Sequence, residues 1–429
     1  MSFLQLRGIF MKQVFRFALA FLAIVGFACM ATVAFAASDS NNEDLLWMKV
    51  RAHDKFERTE IASAGASIEM TREDYVMVLG KEKQRALFEK QGILEQTTLA
   101  TSELLDFPTK DANFHNYAEL KAELEALVKA NPKIAALDSI GKSGEGRELL
   151  RIRISGDLKT ADQKAGLLMM GGHHAREHVS IDIPLMFAGY LLKEYAAGNA
   201  EIVRLVDNRD IQIVPMVNPD GAEHDISTGK YKMWRKNRAH NHDGTYGVDL
   251  NRNYGYGWGT GGSSEDPSDE TYMGPAPFSE PETQAVKRWA DNSPNATVLL
   301  SLHTYSELIL YPWGGSTSKI ADAKDRSVFE KMAGQMAKWN GYTPEQSSDL
   351  YVASGDTCDW AYAEHKMFSF TFELDPSSMW DGGFYPGQAV LPNVFQKNLK
   401  PFLYLIDAAE NPYKTIASPA ETYDNAVIR

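Results

Sequence analysis

The stretch from Leu167 to Leu185, "LLMMGGHHAREHVSIDIPL", places several titratable side chains between two apolar runs. Within it, His174 and Glu177 form an H-x-x-E pair, in which one tight turn lets an imidazole and a carboxylate reach the same ion. Such a pair, joined by a third protein ligand and an open fourth position, is typical of a catalytic zinc site. The spacing equally allows His174 and His178 as the pair, so the residues alone leave the ligands undecided.

The elements that must position these groups are strands of an α/β sheet covered by helices on both faces. Alternation of apolar strands with helical segments predicts this fold class. The predicted strands are Leu149–Ser155, Gly166–Gly171, Ile211–Val217, Thr297–His303 and Phe368–Leu374. In open α/β sheets, ligands collect beyond the carboxyl ends of strands. His303 closes one strand and Glu373 lies near the end of another, so both are expected near His174.

Short motifs extend this pattern along the chain: "GGHHAREH", "WRKNR", "GVDLNRNYGYGW", "LLSLHTYSELILYPWG", "LYVASGDTCDW" and "FSFTFELDP". Their order and approximate spacing resemble the zinc metallocarboxypeptidases of the carboxypeptidase A and B type. The details "FELDPSS" and "GGFYPG" resemble the bacterial carboxypeptidase T branch. The resemblance covers the chain from Phe114 to Pro412. It implies one α/β domain with a mixed sheet of about eight strands, covered by helices on both faces.

The resemblance implies a metal centre with one Zn²⁺ per chain. Its ligands are then His174, Glu177 and His303. Asp249, in "GVDLNRN", is expected to accept a hydrogen bond from the far ring nitrogen of His174 and to orient that ring. The other two histidines of the opening stretch become bystanders.

The resemblance also implies the residues of catalysis and substrate binding. Glu373 is expected to be the general base that, with zinc, activates the attacking water. Arg235 is expected to stabilise the oxyanion. Asn251 and Arg252 are expected to bind the terminal carboxylate of the substrate, and Tyr351 to cover the substrate.

Arg176 is expected to hold a substrate carbonyl. The residues expected to line the specificity pocket are Leu310, Gly314, Asp356, Cys358 and Thr371. Cys358 occupies the position of an aspartate in basic-specific relatives and of an aliphatic residue in hydrophobic-specific ones, so it suits an apolar side chain. Asp356 matches an aspartate that lets carboxypeptidase T accept basic residues as well. These matches predict dual specificity.

The function expected from these residues is hydrolysis of the C-terminal bond of peptides or proteins. Hydrophobic and aromatic termini are expected to react best, with Lys and Arg accepted more slowly. The main alternative is a cell-wall peptidase that cuts γ-glutamyl-diaminopimelate bonds on the same fold. A peptide- or carbohydrate-binding module on a degenerate scaffold is a more distant alternative, which the complete set of catalytic residues disfavours.

The composition excludes some partners. The chain has 429 residues and a formal net charge of -13, with Lys+Arg 44 against Asp+Glu 57. This acidic balance without basic clusters argues against nucleic acid or an anionic membrane as a partner. A monomer is expected. Removal of an N-terminal signal would leave Cys358 without Cys29, so no intrachain disulfide is expected.

Residues 1–36 have the pattern of a secretory signal peptide. Lys12 and Arg16 precede the apolar run Phe17–Phe35, which ends in "AFA" before an acidic polar stretch. A secreted or periplasmic protein without a stable membrane anchor is therefore expected. A membrane anchor is the alternative, since an apolar run of about nineteen residues has enough length to span a bilayer. Met11 is a second possible start.

The rest of the chain divides into a small and a large part. Two strand-like and two helical segments ahead of the motifs predict an α+β unit, interpreted as a prodomain that shields the active site; a permanent accessory domain is the alternative. An acidic stretch with Thr, Ser and Pro, from Glu95 to Ala112, is typical of a linker. The predicted boundaries are 44–100 for the prodomain, 101–112 for the linker, 113–412 for the catalytic domain and 413–429 for a C-terminal tail.

Overall fold

The computed structural model describes residues 45–99, 111, 113–227 and 231–417. The described residues belong to one compact unit, which contains a four-stranded and an eight-stranded sheet. The predicted signal peptide, the linker apart from residue 111 and the tail beyond residue 417 lie outside the described residues. Within the described part, no helix combines the length and apolar character needed to cross a membrane.

The smaller sheet is antiparallel and has the strand order β2-β3-β1-β4. Its elements are β1 (Leu46–Arg51), α1 (Lys55–Ser63), β2 (Ser67–Thr71), β3 (Tyr75–Gly80), α2 (Glu82–Lys90) and β4 (Leu94–Leu99). The side chain of Asp54 caps α1 by accepting from the backbone N–H groups of Phe56 and Glu57. Met48, Val50 and Phe88 contribute to a separate apolar core. We call residues 46–99 the N-terminal unit.

The larger sheet is mixed and has the order β11-β10-β12-β9-β7-β8-β6-β5. Its strands are β5 (Ala135–Lys142), β6 (Glu148–Ile154), β7 (Gly166–Met170), β8 (Asp210–Val214), β9 (Ala296–Thr304), β10 (Leu308–Tyr311), β11 (Thr343–Gln346) and β12 (Phe368–Leu374). The central strands β8, β7, β9 and β12 are parallel to one another. Their carboxyl ends therefore meet at one edge.

Helices cover both faces of this sheet. They are α3 (Tyr117–Ala130), α4 (Val179–Ala196), α5 (Ala200–Asn208), α6 (Pro219–Ile226), α7 (Pro281–Asp291), α8 (Ala323–Asn340), α9 (Ser347–Leu350), α10 (Thr357–His365), α11 (Leu391–Ala408) and α12 (Lys414–Ala417). Leu167 and Met169 of β7 pack into one apolar core, whereas Leu168 and Met170 pack into a second core on the other face. A strand buried on both faces explains its continuous apolar sequence.

The observed sheet confirms the predicted α/β fold, with differences in single strands. The strand predicted over Ile211–Val217 ends at Val214, because Pro215 has no N–H for the ladder. The polar stretch that starts at Glu95 begins with strand β4 rather than with linker, because residues 94–99 pair with β1 at the sheet. Strands β5, β10 and β11 were not predicted, since they are half-exposed or only four residues long.

Candidate metal centre and catalytic cleft

The turn between β7 and α4 depends on two glycines. A Cβ atom at Gly171 would lie 1.9 Å from the carbonyl oxygen of Ser180, and Gly172 has a φ of +65°. Glycine alone combines such a close backbone approach with a left-handed conformation at low cost. The turn holds His174 and Glu177 at the carboxyl end of β7, where the sheet opens to ligands.

His174, Glu177 and His303 converge at one point. His174 Nδ1 lies 2.7 Å from Glu177 Oε1, and His303 Nδ1 lies 3.0 Å from Glu177 Oε2. The two histidine Nδ1 atoms are 3.1 Å apart. All three side chains are buried, and their ligand atoms lie within 4.8 Å of one another. Two imidazole nitrogens and one carboxylate at these distances fit a divalent cation and match the donor set of catalytic zinc sites.

The alternative ligand His178 points elsewhere, because its Nε2 atom lies 2.9 Å from Asp225 Oδ2. His173 also makes contacts outside the ligand group. Its Nε2 atom is 2.8 Å from the Tyr254 hydroxyl, and its ring stacks on His303 with centroids 5.4 Å apart. The geometry therefore favours the pair His174 and Glu177 over the pair His174 and His178, which the spacing had left open.

Asp249 joins the metal centre to Arg235. Its Oδ1 atom lies 3.2 Å from His174 Nε2, the ring nitrogen that faces away from the ligand group. Its Oδ2 atom accepts from Arg235 Nε at 3.0 Å and is 2.9 Å from Arg235 NH2. Burial opposes ionisation of Asp249, but the charges of Arg235 and His174 outweigh it and hold the pKa well below its usual range. The carboxylate thus orients an imidazole and a guanidinium together.

Glu373 lies on β12 directly opposite His303 of β9. It lines the same cavity as His174, Glu177 and Arg235. Burial, and then the neighbouring charge of Glu177, raise the pKa of Glu373 well above its ordinary value. A carboxyl group with a raised pKa is suited to taking up a proton and returning it.

Asn251 and Arg252 lie in a short helical turn at the same cavity. Arg252 Nε donates to the carbonyl of Gly262 at 3.1 Å, and its NH2 donates to the Tyr351 hydroxyl at 3.3 Å. The side-chain oxygen of Asn251 accepts from Thr357 N at 3.0 Å and from Thr357 Oγ1 at 2.8 Å. These bonds fix a guanidinium and an amide beside the ligand group, where both can meet a carboxylate.

Comparison with known proteins decides the family. The family model described as "Zinc carboxypeptidase" matches residues 120–400. The chain belongs to this family of zinc carboxypeptidases. It is 39% identical to the zinc carboxypeptidase of Saccharothrix mutabilis subsp. capreolus over 68% of this chain and 69% of that protein. It is 28% identical to carboxypeptidase A1 of Rattus norvegicus over 81% of this chain and 80% of that protein.

The solved structure of carboxypeptidase A from Helicoverpa armigera has the same fold as this carboxypeptidase. It matches with a TM-score of 0.70 at 24% identity, and covers 87% of this chain and 98% of its own. These comparisons confirm the predicted resemblance, the hydrolase class and the use of zinc. The N, N, O group of His174, Glu177 and His303 fits that ion in charge, in donor type and in its placement beside the cleft.

The predicted specificity residues of the carboxypeptidase lie next to one another in pairs. Cys358 Sγ is 3.0 Å from Thr371 Oγ1, and Leu310 is the strand partner of Thr371. A Cβ atom at Gly314 would lie 2.4 Å from Asp356 Oδ2, so glycine leaves room for this carboxylate. Burial raises the pKa of Asp356 to about 6 and, with the nearby charge of Asp356, raises that of Cys358 well above its ordinary value.

Strand β2 of the N-terminal unit lies over the cleft of the carboxypeptidase. Glu69 Oε1 is 2.6 Å from Arg176 NH2, and Ser67 Oγ is 3.3 Å from the same atom. Arg176 NH1 donates to Glu270 Oε2 at 2.9 Å, and the Arg176 Cζ atom lies 4.6 Å from the centre of the Phe384 ring. With β2 in place, the remaining cavity is about 60 Å³, far below the roughly 300 Å³ of small ligand pockets.

The N-terminal unit also contacts the segment that carries Tyr351. Arg58 NH1 donates to the carbonyl of Leu350 at 3.3 Å, and Val352 N donates to Thr59 Oγ1 at 2.9 Å. Tyr351 itself packs against the apolar core of the N-terminal unit. Helix α1 therefore holds both neighbours of this tyrosine.

Several residues in and beside the cleft of the carboxypeptidase were not among the predicted site residues. Glu69 and Tyr305 line the cavity, and Phe384 packs edge-on against Tyr305 with ring centroids 5.0 Å apart. The sequence carries a signal for Glu69, which is an acid within the otherwise apolar segment "SIEM". An acid buried in a strand requires an ion-pair or hydrogen-bond partner. The two aromatic residues carry no such signal, since isolated aromatic side chains mostly serve packing.

Proposed function

We propose that this chain is an exported zinc carboxypeptidase that removes single residues from the C-termini of peptides or proteins. One observation carries the proposal: His174 and Glu177, two members of the buried group that His303 completes, line the same cleft as Glu373 and a fixed guanidinium. Metal ligands, a base and a carboxylate-binding cation are the parts that hydrolysis of a terminal peptide bond requires.

In this proposal, His174, Glu177 and His303 would hold the zinc ion, which would supply Lewis-acid chemistry to the scissile carbonyl and to the attacking water. Glu373 takes a proton from that water and passes it to the leaving amine. Arg235 donates to the oxyanion that develops on the carbonyl. Asp249 keeps the guanidinium of Arg235 and the ring of His174 in place, as its hydrogen bonds to both support.

The restriction to C-terminal residues is assigned to Arg252 and Asn251. A planar guanidinium binds a carboxylate through two parallel hydrogen bonds, which an internal peptide cannot offer. Tyr351 lies 3.3 Å from Arg252 through its hydroxyl, in a position to cover a substrate held there. Arg176 is assigned to a substrate carbonyl further from the terminus.

We propose dual specificity for the pocket formed by Leu310, Gly314, Asp356, Cys358 and Thr371. Apolar and aromatic side chains are preferred, because each buried methylene contributes about 0.8 kcal/mol. Lys and Arg are accepted through Asp356, whose buried carboxylate lies against Gly314. The contact of Cys358 with Thr371 makes that part of the pocket small and weakly polar.

Residues 44–100 are proposed to form a prodomain that keeps the enzyme inactive until the linker at 101–112 is cut, which releases a catalytic domain of residues 113–412 with a tail at 413–429. The ion pair between Glu69 and Arg176 and the small remaining cavity support this role. Export as a monomer through the signal of residues 1–36 is part of the same proposal. The free, buried Cys358 is compatible with that compartment.

The proposal is tested with the purified full chain, assayed before and after limited proteolysis. A blocked dipeptide ending in Phe should be hydrolysed after proteolysis, and a chelator should abolish the reaction. The same dipeptide with a C-terminal amide is the control and should resist cleavage. Cleavage of a γ-glutamyl-diaminopimelate muropeptide in place of the dipeptide would replace the proposal with the cell-wall function. Bound zinc without turnover of either substrate would refute both.

A further inference from the structure

The segment that carries Arg235 has no regular secondary structure. Residues 231–235 lie between α6 and the 3-10 turn at Asp249, outside any helix or strand. Within this segment Met233 has a φ of +58°, in the left-handed region that a side chain other than glycine rarely adopts. A backbone in this conformation persists only where surrounding groups hold it. The position of the Arg235 guanidinium thus depends on the group that holds residues 232–234.

That group is Asp225, at the end of α6, whose side chain is fully buried. Its Oδ1 atom accepts from Lys232 N at 3.1 Å and from Trp234 N at 2.8 Å. These are the backbone amides on either side of Met233. The left-handed residue between them turns both N–H groups towards one oxygen, as in the backbone concavities that bind anions.

The same carboxylate reaches two other parts of the cleft. Its Oδ2 atom lies 2.9 Å from His178 Nε2, on the residue after Glu177. The Tyr385 hydroxyl donates to Oδ2 at 2.9 Å and lies 3.1 Å from Oδ1. Tyr385 follows Phe384, whose ring meets the guanidinium of Arg176. One buried carboxylate therefore connects the metal-binding turn, the Arg235 segment and the loop after β12.

We propose that Asp225 is a positioning residue for the hydrolysis, which acts by fixing the backbone of residues 232–234 and through it the guanidinium of Arg235. The inference rests on the proposed role of Arg235 in oxyanion stabilisation. A second anchor at the other end of the guanidinium, the pair of hydrogen bonds to Asp249, fixes its direction. Backbone and side chain of Arg235 are thus held by different aspartates.

The test is a double-mutant cycle on Asp225 and Arg235 in the full chain, assayed on a blocked dipeptide after limited proteolysis. Asp225→Asn keeps the shape but replaces one acceptor oxygen by a donor, and should lower kcat about 10- to 100-fold with KM changed less than about threefold. Arg235→Lys keeps the charge but loses the planar guanidinium with its paired N–H donors, and should lower kcat by about 10²-fold or more. The double variant should be no slower than Arg235→Lys alone, because both changes remove one function.

The matched control is Asp182→Asn. Asp182 is an equally buried acid, 2.5 Å from His115 Nδ1, and outside the cleft cavity. This variant should retain wild-type kcat, whatever stability it loses. Zinc content and melting temperature of every variant are measured, so that a loss of folded or metal-loaded enzyme is distinguished from slower turnover.

The possible results are decisive in both directions. Wild-type kcat in Asp225→Asn, or a double variant whose loss is the product of the single losses, would overturn the positioning role. Wild-type kcat in Arg235→Lys would instead overturn the proposed role of Arg235 itself. If Asp225→Asn fails to fold, hydrogen exchange of the wild-type chain replaces the cycle. Slow exchange of the Trp234 amide supports the proposal, and fast exchange contradicts it. The Lys232 amide is not used, because it also donates to the backbone carbonyl of Asp225 at 3.0 Å.

Discussion

Two buried aspartates, Asp249 beside the metal-ligand group and Asp356 in the proposed specificity pocket, have pKa values shifted in opposite directions. Asp249 meets Arg235 and His174, which hold its pKa well below the usual range in spite of burial. Asp356 accepts from the backbone N–H of Asp359 at 2.7 Å, and burial raises its pKa to about 6. The same residue type at similar burial is therefore a permanent anion in one place and a titrating group in the other.

The two pKa shifts differ because the positive charge that offsets burial of each carboxylate has a different source. At the metal centre the protein itself supplies cations, so the carboxylate is ionised before any ligand arrives and keeps its partners oriented. In the pocket the neighbouring acid Asp359 has a pKa raised well above its ordinary value by burial and by Asp356. The charge of Arg252 lowers the pKa of Asp356 but does not outweigh burial. Further compensation is left to the substrate, which suits the proposed pocket for both neutral and cationic side chains.

The largest expected effect tests the base at the metal centre. Glu373→Gln keeps size and hydrogen bonding but cannot take a proton, so kcat should fall by about 10²-fold or more while zinc remains bound. The measurement is steady-state turnover of a blocked dipeptide together with metal analysis. Wild-type rates would mean that another residue takes the proton. Loss of zinc would mean that Glu373 belongs to the metal site rather than to the proton transfer.

Asp249→Asn should have the next largest effect. It removes the charge that orients His174 and pairs with Arg235, and partners of this kind typically contribute 10- to 100-fold in metal affinity or activity. We expect a loss of about that size in zinc affinity, measured by competition with a chelator, and a lower melting temperature at pH 7. Unchanged zinc affinity and stability would show that the charge of Asp249 does not stabilise the metal centre, and would contradict its proposed difference from Asp356.

Asp356→Asn should act on one class of substrate only. Loss of the negative charge should lower kcat/KM for peptides ending in Arg by about tenfold, with peptides ending in Phe or Leu nearly unchanged. The change should also raise the melting temperature at pH 8, because the buried charge is removed and Asn caps a helix as well as Asp. An equal loss for all three peptides would make Asp356 structural and refute dual specificity.

The pH dependence of substrate specificity tests the same difference between Asp249 and Asp356. The folded pKa of Asp356 is raised to about 6, so its charge is present above that pH and is lost as the pH falls through it. From pH 7 to pH 5 the ratio of kcat/KM for Arg to that for Phe should therefore fall about fivefold. A raised pKa in an acid means that the ionised group costs stability, so the stabilisation in Asp356→Asn should be full at pH 8, about half as large at pH 5, and lost only as the pH falls below the unfolded pKa of about 4. A ratio of the two kcat/KM values that stays constant with pH would contradict the proposal that Asp356 binds basic side chains.

The smallest expected effect concerns the N-terminal unit. In the full chain, Glu69→Gln weakens the ion pair with the buried Arg176 and should raise basal turnover a few-fold without proteolysis, since other contacts of the unit remain. Glu89→Gln is the control, because Glu89 pairs with Arg85 on the exposed side of α2. Equal activity of the full-length and trimmed wild-type enzymes would remove the inhibitory role altogether.

Much of the molecule could be predicted because its signals are local. The strand Phe368–Leu374 is predicted at its observed bounds, since strict alternation of apolar and polar residues ahead of Pro376 has few alternatives. The metal ligands needed more than spacing: H-x-x-E and the pair with His178 were equal until the turn at Gly171 and Gly172 oriented the side chains. Strand β2, whose position over the cleft matters most, was not predicted as a strand, because its role depends on a surface distant in sequence.

The sequence by itself determined the family, the α/β class and the use of zinc, because each depends on residue types in a fixed order. Tertiary structure alone decided how buried charges are balanced. Burial and contacts with residues distant in sequence shift the pKa values of Asp249 and Asp356 in opposite directions. They also set the pairing of Arg176 with Glu69 and the contact of Asp225 with backbone amides beyond the end of its own helix. Electrostatic energy depends on distance in space and on solvent exclusion, and neither quantity is encoded in sequence spacing.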